Sequence, residues 1–385
     1  MSTSPQIGGF TAPGFEGVAA AFERNFTERG EVGAAFSAVL DGEVVVDLWG
    51  GTADPVTGRP WESDTLQLVF SGAKGLIATC VLMLAERGRI DLEAPVADYW
   101  PEFAAHGKGG TTVVEMLSHR ARLPGVRTPL APEDLADSVR LAALLAAQEP
   151  EDDPRGAYIY HPLTYGWLAD GLVRRVDGRG VGRFFAEEIA APLGLEVWIG
   201  VPPEHEGRVS RLTLADGVGA EPGRERTGDP LADRVQANPP LLLRGGDLYW
   251  NTPLARRSPP PGAGAVVTAR SMARFYGALA RGGELDGVRI IERATLDLGR
   301  AERVKGIEPL WGAPMAYGAG YELQAGLNVF GRPADAYGHA GMGGSRHAAW
   351  PGHGLGFSYA MNQLRGDAPD LRSQSLLNAL EDALA

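Results

Sequence analysis

The stretch LQLVFSGAKGLIATCVLMLAERG, residues 66–88, combines a serine, a lysine and a nearly unbroken apolar run. Ser71 stands three residues before Lys74, and residues with this spacing share one face of a helix. With fourteen serines and three lysines in the chain, chance produces the spacing about one time in nine. The apolar run predicts a helix over 71–86 that is buried nearly all round. At the start of a buried helix, desolvation and the helix dipole lower the pKa of a lysine, which can then activate a serine.

Length and composition exclude several classes of protein. The chain has 385 residues, of which 44% are hydrophobic and 22% charged, as is usual for a soluble globular protein of one large or two intertwined domains. A net charge of −12 argues against nucleic acid and anionic membranes as partners. Cys80 is the single cysteine, so no intrachain disulfide forms, and its place in the apolar run predicts a buried, inert thiol.

The first residues, MSTSPQIGGFTAPG, have neither a basic start nor an apolar segment, so no secretory signal is predicted. The longest apolar stretch, residues 75–85, is too short to span a bilayer. We therefore expect a cytoplasmic protein with no membrane partner. The sequence leaves its oligomeric state open, and a homo-oligomer is compatible with it.

Hydrophobic periodicity and turn signals predict the elements along the chain. Asp41-Gly42 predicts a hairpin, and the run SRHAAWP predicts an edge-type strand. Residues 200–265 are irregular and rich in proline and glycine, as is typical of active-site loops or lids. The predicted helices are 15–30, 71–86, 111–123, 132–147, 163–176, 181–189, 268–283 and 371–384, and the late strands lie in 315–324, 345–351 and 355–364.

Strands at both ends and helices in the middle predict an α+β fold, an antiparallel sheet flanked by helices with an inserted, mostly helical domain. We expect residues 1–100 and 265–385 to form the sheet domain. Residues 101–264 would form the helical domain, including the long irregular active-site loop.

Two further stretches carry groups that fit a serine-lysine site. GAYIYHPLTYGW places Tyr160 just before a helix, with Tyr158 and Tyr165 nearby. AYGHAGMGGSRHAAW is a glycine-rich run that leads into a strand. Each alone is more often structural, since tyrosines pack and glycines make turns. Their order after Ser71 and Lys74 is what indicates a common site.

In this order the motifs resemble those of serine β-lactamases and penicillin-binding D-peptidases, and most of all the class C β-lactamase-like carboxylesterases (family VIII esterases). The resemblance covers roughly residues 14–380 and includes TVVEMLSHRARLPG and TARSMARFYGALARGG. It implies a β-lactamase/transpeptidase-like fold. The activity it implies is hydrolysis of small-molecule carboxylic esters through an acyl-enzyme, without metal or cofactor.

The resemblance also implies a role for each matching residue. Ser71 is the nucleophile, and Lys74 is the base or a partner that tunes the base. Tyr160 takes the serine proton as a phenolate and later passes protons to the leaving group and to water. The backbone N–H groups of Ser71 and Met342 form the oxyanion hole, Met342 being the residue after Gly341.

Two departures from the family pattern favour esters over β-lactams. Pro162 stands where the tyrosine motif usually has an amide or hydroxyl side chain, so a contact to the β-lactam side chain is missing. His339 stands where β-lactamases have lysine, beside the polar end of the acyl group, and lacks the permanent cation that attracts a β-lactam carboxylate. Gly341 belongs to the same substrate-binding strand.

Aromatic residues near the motifs are candidate walls of an acyl pocket, although ordinary packing explains them equally well. They are Tyr249, Trp250, Trp311 and Trp350.

Alternatives remain open on the same site: a β-lactamase, a D-amino-acid peptidase or amidase, and a transacylase. A catalytically silent binding protein is the alternative of a different class. No serine stands in G-x-S-x-G, which argues against a Ser-His-Asp hydrolase. His339, His347 and His353 cluster at irregular spacing without a metal-binding motif, and we expect His119 and His161 to be structural.

Overall fold

The predicted hairpin at Asp41-Gly42 forms two strands of the large sheet. The structure, a computed structural model, describes residues 6–216, 228–240, 247–366 and 370–385. Strands β2 (Gly33–Leu40) and β3 (Glu43–Asp54) pair antiparallel across the turn, where Asp41 and Gly42 both have positive φ. The turn chemistry therefore sets the register, as expected for Asp-Gly.

The other strands are β1 (Ile7–Thr11), β4 (Arg59–Pro60), β5 (Gln67–Leu68), β6 (Val197–Ile199), β7 (Thr213–Leu214), β8 (Ala265–Val267), β9 (Glu284–Leu285), β10 (Val288–Arg289), β11 (Val304–Ile307), β12 (Pro314–Tyr317), β13 (Glu322–Leu323), β14 (Tyr337–Ala340), β15 (Arg346–Trp350), β16 (Leu355–Met361) and β17 (Gln363–Leu364). The α-helices are α1 (Glu16–Glu28), α2 (Ala73–Glu86), α3 (Val113–Leu117), α4 (Ser138–Ala147), α5 (Thr164–Asp177), α6 (Val181–Phe185), α7 (Ala191–Leu193), α8 (Pro230–Gln236), α9 (Pro253–Arg257), α10 (Ala269–Ala280), α11 (Arg293–Arg300) and α12 (Leu371–Asp382). Short 3-10 turns are Val96–Asp98, Pro132–Ala136, Pro154–Ala157, Pro203–Arg208, Tyr249–Asn251 and Pro351–His353, and a π-helical turn is Ala186–Ala190. Pro101–Gly110 contains two 3-10 turns separated by a non-helical kink at Ala105, His106 and Gly107.

Among the described residues, the large sheet has ten strands in the order β1-β3-β2-β16-β15-β14-β13-β12-β11, with β4 beside β3. Neighbouring strands run antiparallel, so the predicted fold class, an antiparallel sheet flanked by helices, is confirmed. The prediction of an edge-type strand is wrong, because β15 lies in the centre of the sheet between β14 and β16.

Helices cover the sheet through close backbone contacts and apolar faces. α10 packs on β2, β15 and β16, and α1 packs against α12. A Cβ at Gly356 would come within 2.0 Å of the Gly277 nitrogen, so only glycine lets α10 cross β16 this closely. α2 is buried nearly all round, between α5, α6, α11 and β14, as the apolar run predicts.

A second, three-stranded sheet joins the serine segment to the proline-rich segment. In it β8 lies between β5 and β6. β5 ends three residues before Ser71, and β8 directly follows the loop around Gly262. This sheet therefore brings residues near 71 and 262 together, although they are far apart in sequence.

Several predicted elements have different bounds in the structure. The helix predicted over 111–123 is limited to Val113–Leu117, because His119 and Arg122 adopt left-handed backbone conformations. Residues 315–324 form two strands of a hairpin, turning at Gly320 with φ of 94°. The helix predicted over 132–147 divides into a 3-10 turn and α4.

The division into domains at residues 101 and 264 stays a prediction, although all ten described strands of the large sheet lie outside that interval. Parts of the predicted irregular region, 217–227 and 241–246, lie outside the described residues. In the described part of the chain no helix is long and apolar enough to cross a membrane.

Candidate active site

Ser71 lies in a tight turn between β5 and α2. The N–H of Val69 donates to the Ala265 carbonyl at 3.0 Å, which fixes the turn to β8. Phe70 has a φ of 46°, a left-handed conformation that costs energy for any residue other than glycine. The next residue, Gly72, packs on His347, whose Cδ2 would lie 2.6 Å from a Cβ at this position. The chain is thus strained and tightly packed where Ser71 is presented.

Lys74 is fully buried on the first turn of α2 and contacts three oxygen atoms. Its Nζ lies 3.0 Å from Ser71 Oγ, 2.7 Å from the Pro162 carbonyl oxygen and 3.0 Å from the Gly262 carbonyl oxygen. Gly262 is held in place by α5, since a Cβ at Gly166 would come within 2.1 Å of the Gly262 nitrogen. Burial lowers the pKa of Lys74 well below its ordinary value.

Tyr160 reaches Ser71 from the other side. Its hydroxyl donates to Ser71 Oγ at 2.7 Å, and its ring stacks on Tyr317 at 5.8 Å between centroids. Trp311 and His119 contact the same ring, with centroids 5.4 and 4.6 Å away. Burial raises the pKa of the Tyr160 phenol well above its ordinary value. The geometry therefore places a protonated phenol and a lysine on one serine oxygen.

The hydrogen-bond count fits a neutral lysine amine and a neutral phenol. A neutral amine has two N–H donors and one lone pair. The two carbonyl groups, of Pro162 and Gly262, take both donors, and the lone pair is left for the Ser71 O–H. An ammonium beside a phenolate would satisfy the same contacts, but burial disfavours both charged forms. Because the groups share one proton network, they titrate as a pair.

Glu308 holds the backbone of Tyr160, a contact that sequence reasoning missed. One carboxylate oxygen, Oε1, accepts from the Tyr160 N–H at 3.2 Å. The other, Oε2, accepts from the N–H groups of Leu310 and Trp311, both at 2.8 Å. Glu308 is fully buried, and burial raises its pKa. Its local contacts, to Leu310 and Trp311, do not indicate this role, because the Tyr160 N–H that it holds lies 148 residues away.

The expected oxyanion-hole residues border the same cavity. Within the described residues, the backbone N–H groups of Ser71 and Met342 make no hydrogen bond, so both are free to donate to a substrate oxygen. Gly341 is required by space, since a Cβ there would lie 2.2 Å from Ser345 Oγ and 2.3 Å from the Val69 carbonyl oxygen.

The turn that presents Met342 is held from behind by a buried arginine. Arg372 Nη2 donates to the Gly343 carbonyl at 3.1 Å. The same guanidinium forms ion pairs with Glu31 at 2.9 Å and Asp370 at 2.8 Å. Charge-assisted hydrogen bonds of this kind are stronger than neutral ones. The C-terminal helix α12, which begins at Leu371, therefore fixes the glycine turn.

His339 and Glu322 lie side by side in the cavity wall and are both buried. The Nδ1 atom of His339 lies 2.8 Å from the Ala340 carbonyl, which can only accept, so Nδ1 carries the proton. The Oε2 atom of Glu322 accepts from the Ala340 N–H at 2.9 Å and lies 3.5 Å from His339 Nδ1. Burial lowers the pKa of His339 well below its ordinary value, which keeps the imidazole neutral.

A cavity of about 350 Å³ opens above Ser71. Its apolar walls include Phe70, Leu163, Val235, Trp250, Trp311 and Met315. Trp250 and Trp311 thus border the cavity, as expected. The assignment of Trp350 to the pocket is wrong, because its indole is fully buried in the core and donates to the Phe330 carbonyl at 2.6 Å. Tyr249 also lies outside the cavity wall, behind Trp250 at 5.7 Å between ring centroids.

Three other buried histidines contact neighbouring residues. His161 Nε2 accepts from the Leu123 N–H at 3.1 Å, and His119 Nδ1 accepts from the His161 N–H at 3.1 Å. His347 contacts Ser358 Oγ at 2.8 Å. Among the residues with described positions, no group of three or more histidine, cysteine or acidic side chains is arranged to hold a metal ion.

Known proteins are similar to this chain along most of its length. Residues 18–380 match the protein family described as Beta-lactamase. The Esterase/beta-lactamase LipL of Mycobacterium tuberculosis (strain ATCC 25618 / H37Rv) is 36% identical over 365 residues, which cover 93% of this chain and 83% of LipL.

Solved structures are similar along nearly the whole chain. A family VIII carboxylesterase is 38% identical with a TM-score of 0.89, covering 98% of this chain and 100% of the other. A penicillin-binding protein homologue from Caulobacter crescentus is 36% identical with a TM-score of 0.87 and the same coverage. The expected β-lactamase-type fold is therefore confirmed.

Proposed function

The chain belongs to the β-lactamase family, and we propose that it hydrolyses carboxylic esters through an acyl-enzyme on Ser71. One observation carries this proposal: Ser71 Oγ lies 3.0 Å from Lys74 Nζ and 2.7 Å from the Tyr160 hydroxyl, beside a largely apolar cavity. An ester is the favoured substrate because an esterase/beta-lactamase and a family VIII carboxylesterase are 36% and 38% identical to the chain.

In the first step the neutral Lys74 amine accepts the Ser71 proton while Oγ attacks the ester carbonyl. The carbonyl oxygen becomes negative and accepts from the N–H groups of Ser71 and Met342. Burial favours a neutral resting pair, so Lys74 is the base and Tyr160 starts as an acid. This differs from the phenolate expected from the family resemblance.

In the second step the tetrahedral intermediate collapses and the C–O bond to the alcohol breaks. Tyr160 gives its proton to the departing oxygen, and the Lys74 ammonium, whose Nζ is 4.9 Å from the tyrosine ring centroid, stabilises the phenolate and restores its proton. Water then attacks the acyl-enzyme with the same groups in reversed roles, which releases the acid and regenerates Ser71.

A β-lactam is a second candidate substrate, since the relative LipL is named both esterase and beta-lactamase. The site of this chain is poorly suited to it. Neutral His339 provides no cation for a β-lactam carboxylate, and Pro162 provides no side-chain hydrogen bond. We therefore expect a chromogenic cephalosporin to be hydrolysed much more slowly than a simple ester.

The experiment that tests the proposal is hydrolysis of p-nitrophenyl butyrate by wild type and three variants. Ser71→Ala should abolish turnover, and Lys74→Met and Tyr160→Phe should each lower kcat by about 100-fold or more. Tyr158→Phe is the matched control, because the Tyr158 hydroxyl makes no hydrogen bond to a described residue. A folded wild type that neither hydrolyses the ester nor reacts with a fluorophosphonate at Ser71 would show a binding protein instead.

A further inference from the structure

The wall of the cavity contains a carboxylate oxygen that no protein donor satisfies. Glu322 is 6% exposed and borders the cavity. Its Oε2 accepts from the Ala340 N–H, but its Oε1 makes no hydrogen bond to a described residue. A carboxylate oxygen that accepts from no protein group and belongs to a residue of the cavity wall is open to a donor on the substrate.

A second acceptor without a partner lies in the same wall. Because His339 Nδ1 carries the ring proton, Nε2 has a free lone pair, and within the described residues it has no hydrogen-bond donor. His339 is 2% exposed. His339 Nδ1 and Glu322 Oε2 are 3.5 Å apart, so the two side chains are neighbours in the cavity wall.

No described residue of the cavity wall supplies a cation to this region, since the wall contains neither lysine nor arginine. Lys74 lies behind Ser71, and its amine is fully engaged by Ser71, Pro162 and Gly262. Arg346 and Lys74 both act on Glu322 over a longer distance. The Nη1 atom of Arg346 donates to the Ser345 carbonyl at 2.9 Å.

We infer that Glu322 and His339 form a subsite for a hydrogen-bond donor on the substrate, an ammonium or hydroxyl group. The inference rests on the proposed ester hydrolysis and names the class of ester. Burial raises the pKa of the Glu322 carboxyl group. A substrate ammonium favours the ionised form and pairs with Oε1, whereas a substrate carboxylate is repelled by that form.

The test uses two matched series, because the subsite could face the acyl or the alcohol part of the ester. In the acyl series, p-nitrophenyl ε-aminohexanoate, heptanoate and the adipate monoester differ in one terminal group. In the alcohol series, the alcohol parts of three butyrate esters differ in the same way. They are 2-(dimethylamino)ethanol with an ammonium group, 3-methylbutanol with a neutral group and 3-hydroxypropanoate with a carboxylate. In one series or the other, kcat/KM for the ammonium ester should exceed that for the neutral ester by about 10-fold. The carboxylate ester should be the poorest substrate of that series.

Glu322→Gln gives a sharper version of the test. The introduced amide would turn its oxygen to the Ala340 N–H, because that donor is fixed at 2.9 Å from the present carboxylate, and would present its NH2 group to the cavity. Because the acceptor becomes a donor, kcat/KM for the carboxylate ester divided by kcat/KM for the ammonium ester should rise by about 10-fold or more. Glu302 is exposed, and Glu302→Gln is the control. It should leave the ammonium-to-neutral and carboxylate-to-ammonium ratios of kcat/KM as in wild type.

The outcomes are separable. Wild type that hydrolyses neutral esters but shows no ammonium preference in either series overturns the subsite and leaves ester hydrolysis intact. Unchanged ratios in a folded Glu322→Gln variant overturn it as well. If wild type hydrolyses none of the esters, the proposed function itself fails. The wild-type ratios need no variant, so the inference stays testable even if the substitution prevents folding.

Discussion

Replacing Glu308 by glutamine tests whether this carboxylate positions Tyr160. The substitution keeps the size of the side chain and exchanges one acceptor oxygen for an NH2 group. Because Oε2 accepts two N–H groups at 2.8 Å, from Leu310 and Trp311, the amide oxygen should take that place. The NH2 group then faces the Tyr160 N–H. In the wild type this N–H donates to Glu308 Oε1 at 3.2 Å, and in the variant it has no acceptor.

The expected magnitude follows from this one unsatisfied contact. A buried N–H that loses its acceptor costs about 1–3 kcal/mol of folding free energy. For a chain of 385 residues this corresponds to a fall in Tm of roughly 1–4 °C. The two N–H donors that face each other in the variant should move apart and displace the Tyr160 backbone. A displacement of about 1 Å at a reacting group lowers kcat by up to about 100-fold.

The assay measures kcat and KM for p-nitrophenyl butyrate together with Tm. We expect kcat to fall at least 10-fold with little change in KM, since Glu308 does not line the cavity. Labelling of Ser71 by a fluorophosphonate should slow in parallel. Glu302→Gln, on the exposed surface, is the control. A variant with wild-type kcat would refute the reasoning, and so would a loss of kcat accompanied by a fall in Tm far beyond that of one hydrogen bond.

Three other predictions test the oxyanion turn, the pocket and the buried histidines. Gly341→Ala places a methyl group 2.3 Å from the Val69 carbonyl oxygen, so kcat should fall by about 100-fold, and a wild-type rate would contradict the tight turn. Trp250→Ala should shift the preferred acyl or alcohol size, whereas Trp350→Ala should cost about 3–5 kcal/mol of stability without such a shift, as chain-length profiles and denaturant unfolding would show. Burial lowers the pKa of His161 to about 4. As the pH falls below about 6.5, the unfolded state therefore binds a proton before the folded state does. The free energy of unfolding should fall by about 3 kcal/mol between pH 6.5 and pH 4. A Tm that stays constant over this range would contradict that account.

Local sequence signals predicted the parts of the fold that depend on neighbours in the chain. The Asp41-Gly42 turn and the buried helix after Ser71 depend on turn chemistry and periodicity, and both are present. The position of β15 could not be predicted, because a short strand of mixed residues looks alike at an edge or in the centre. Its neighbours β14 and β16 are chosen by sheet topology, which a single strand does not encode.

In the candidate site, too, the sequence predicted the residues that local motifs mark and missed those that only tertiary contacts bring in. The spacing of Ser71 and Lys74 and the glycines around Met342 are local, and Ser71, Gly341 and Met342 border the cavity as expected. Trp350 was assigned to the pocket from its place beside a motif, but its ring is fully buried in the core at the end of β15. The roles of Glu308 and Glu322 had no signal, since the N–H groups of Tyr160 and Ala340 that they hold are on other segments.

The chemistry of Lys74 illustrates why the motif alone is incomplete. Helical spacing brings its amine to Ser71, but the same spacing would hold for an exposed, protonated lysine. Two carbonyl groups, from Pro162 and Gly262, come from segments 88 and 188 residues away and take the amine N–H groups. Together with burial they leave one lone pair for the serine proton. The base is therefore made by the tertiary fold, and changes at the Gly166 contact that holds Gly262 should impair catalysis even though Ser71 and Lys74 are unchanged.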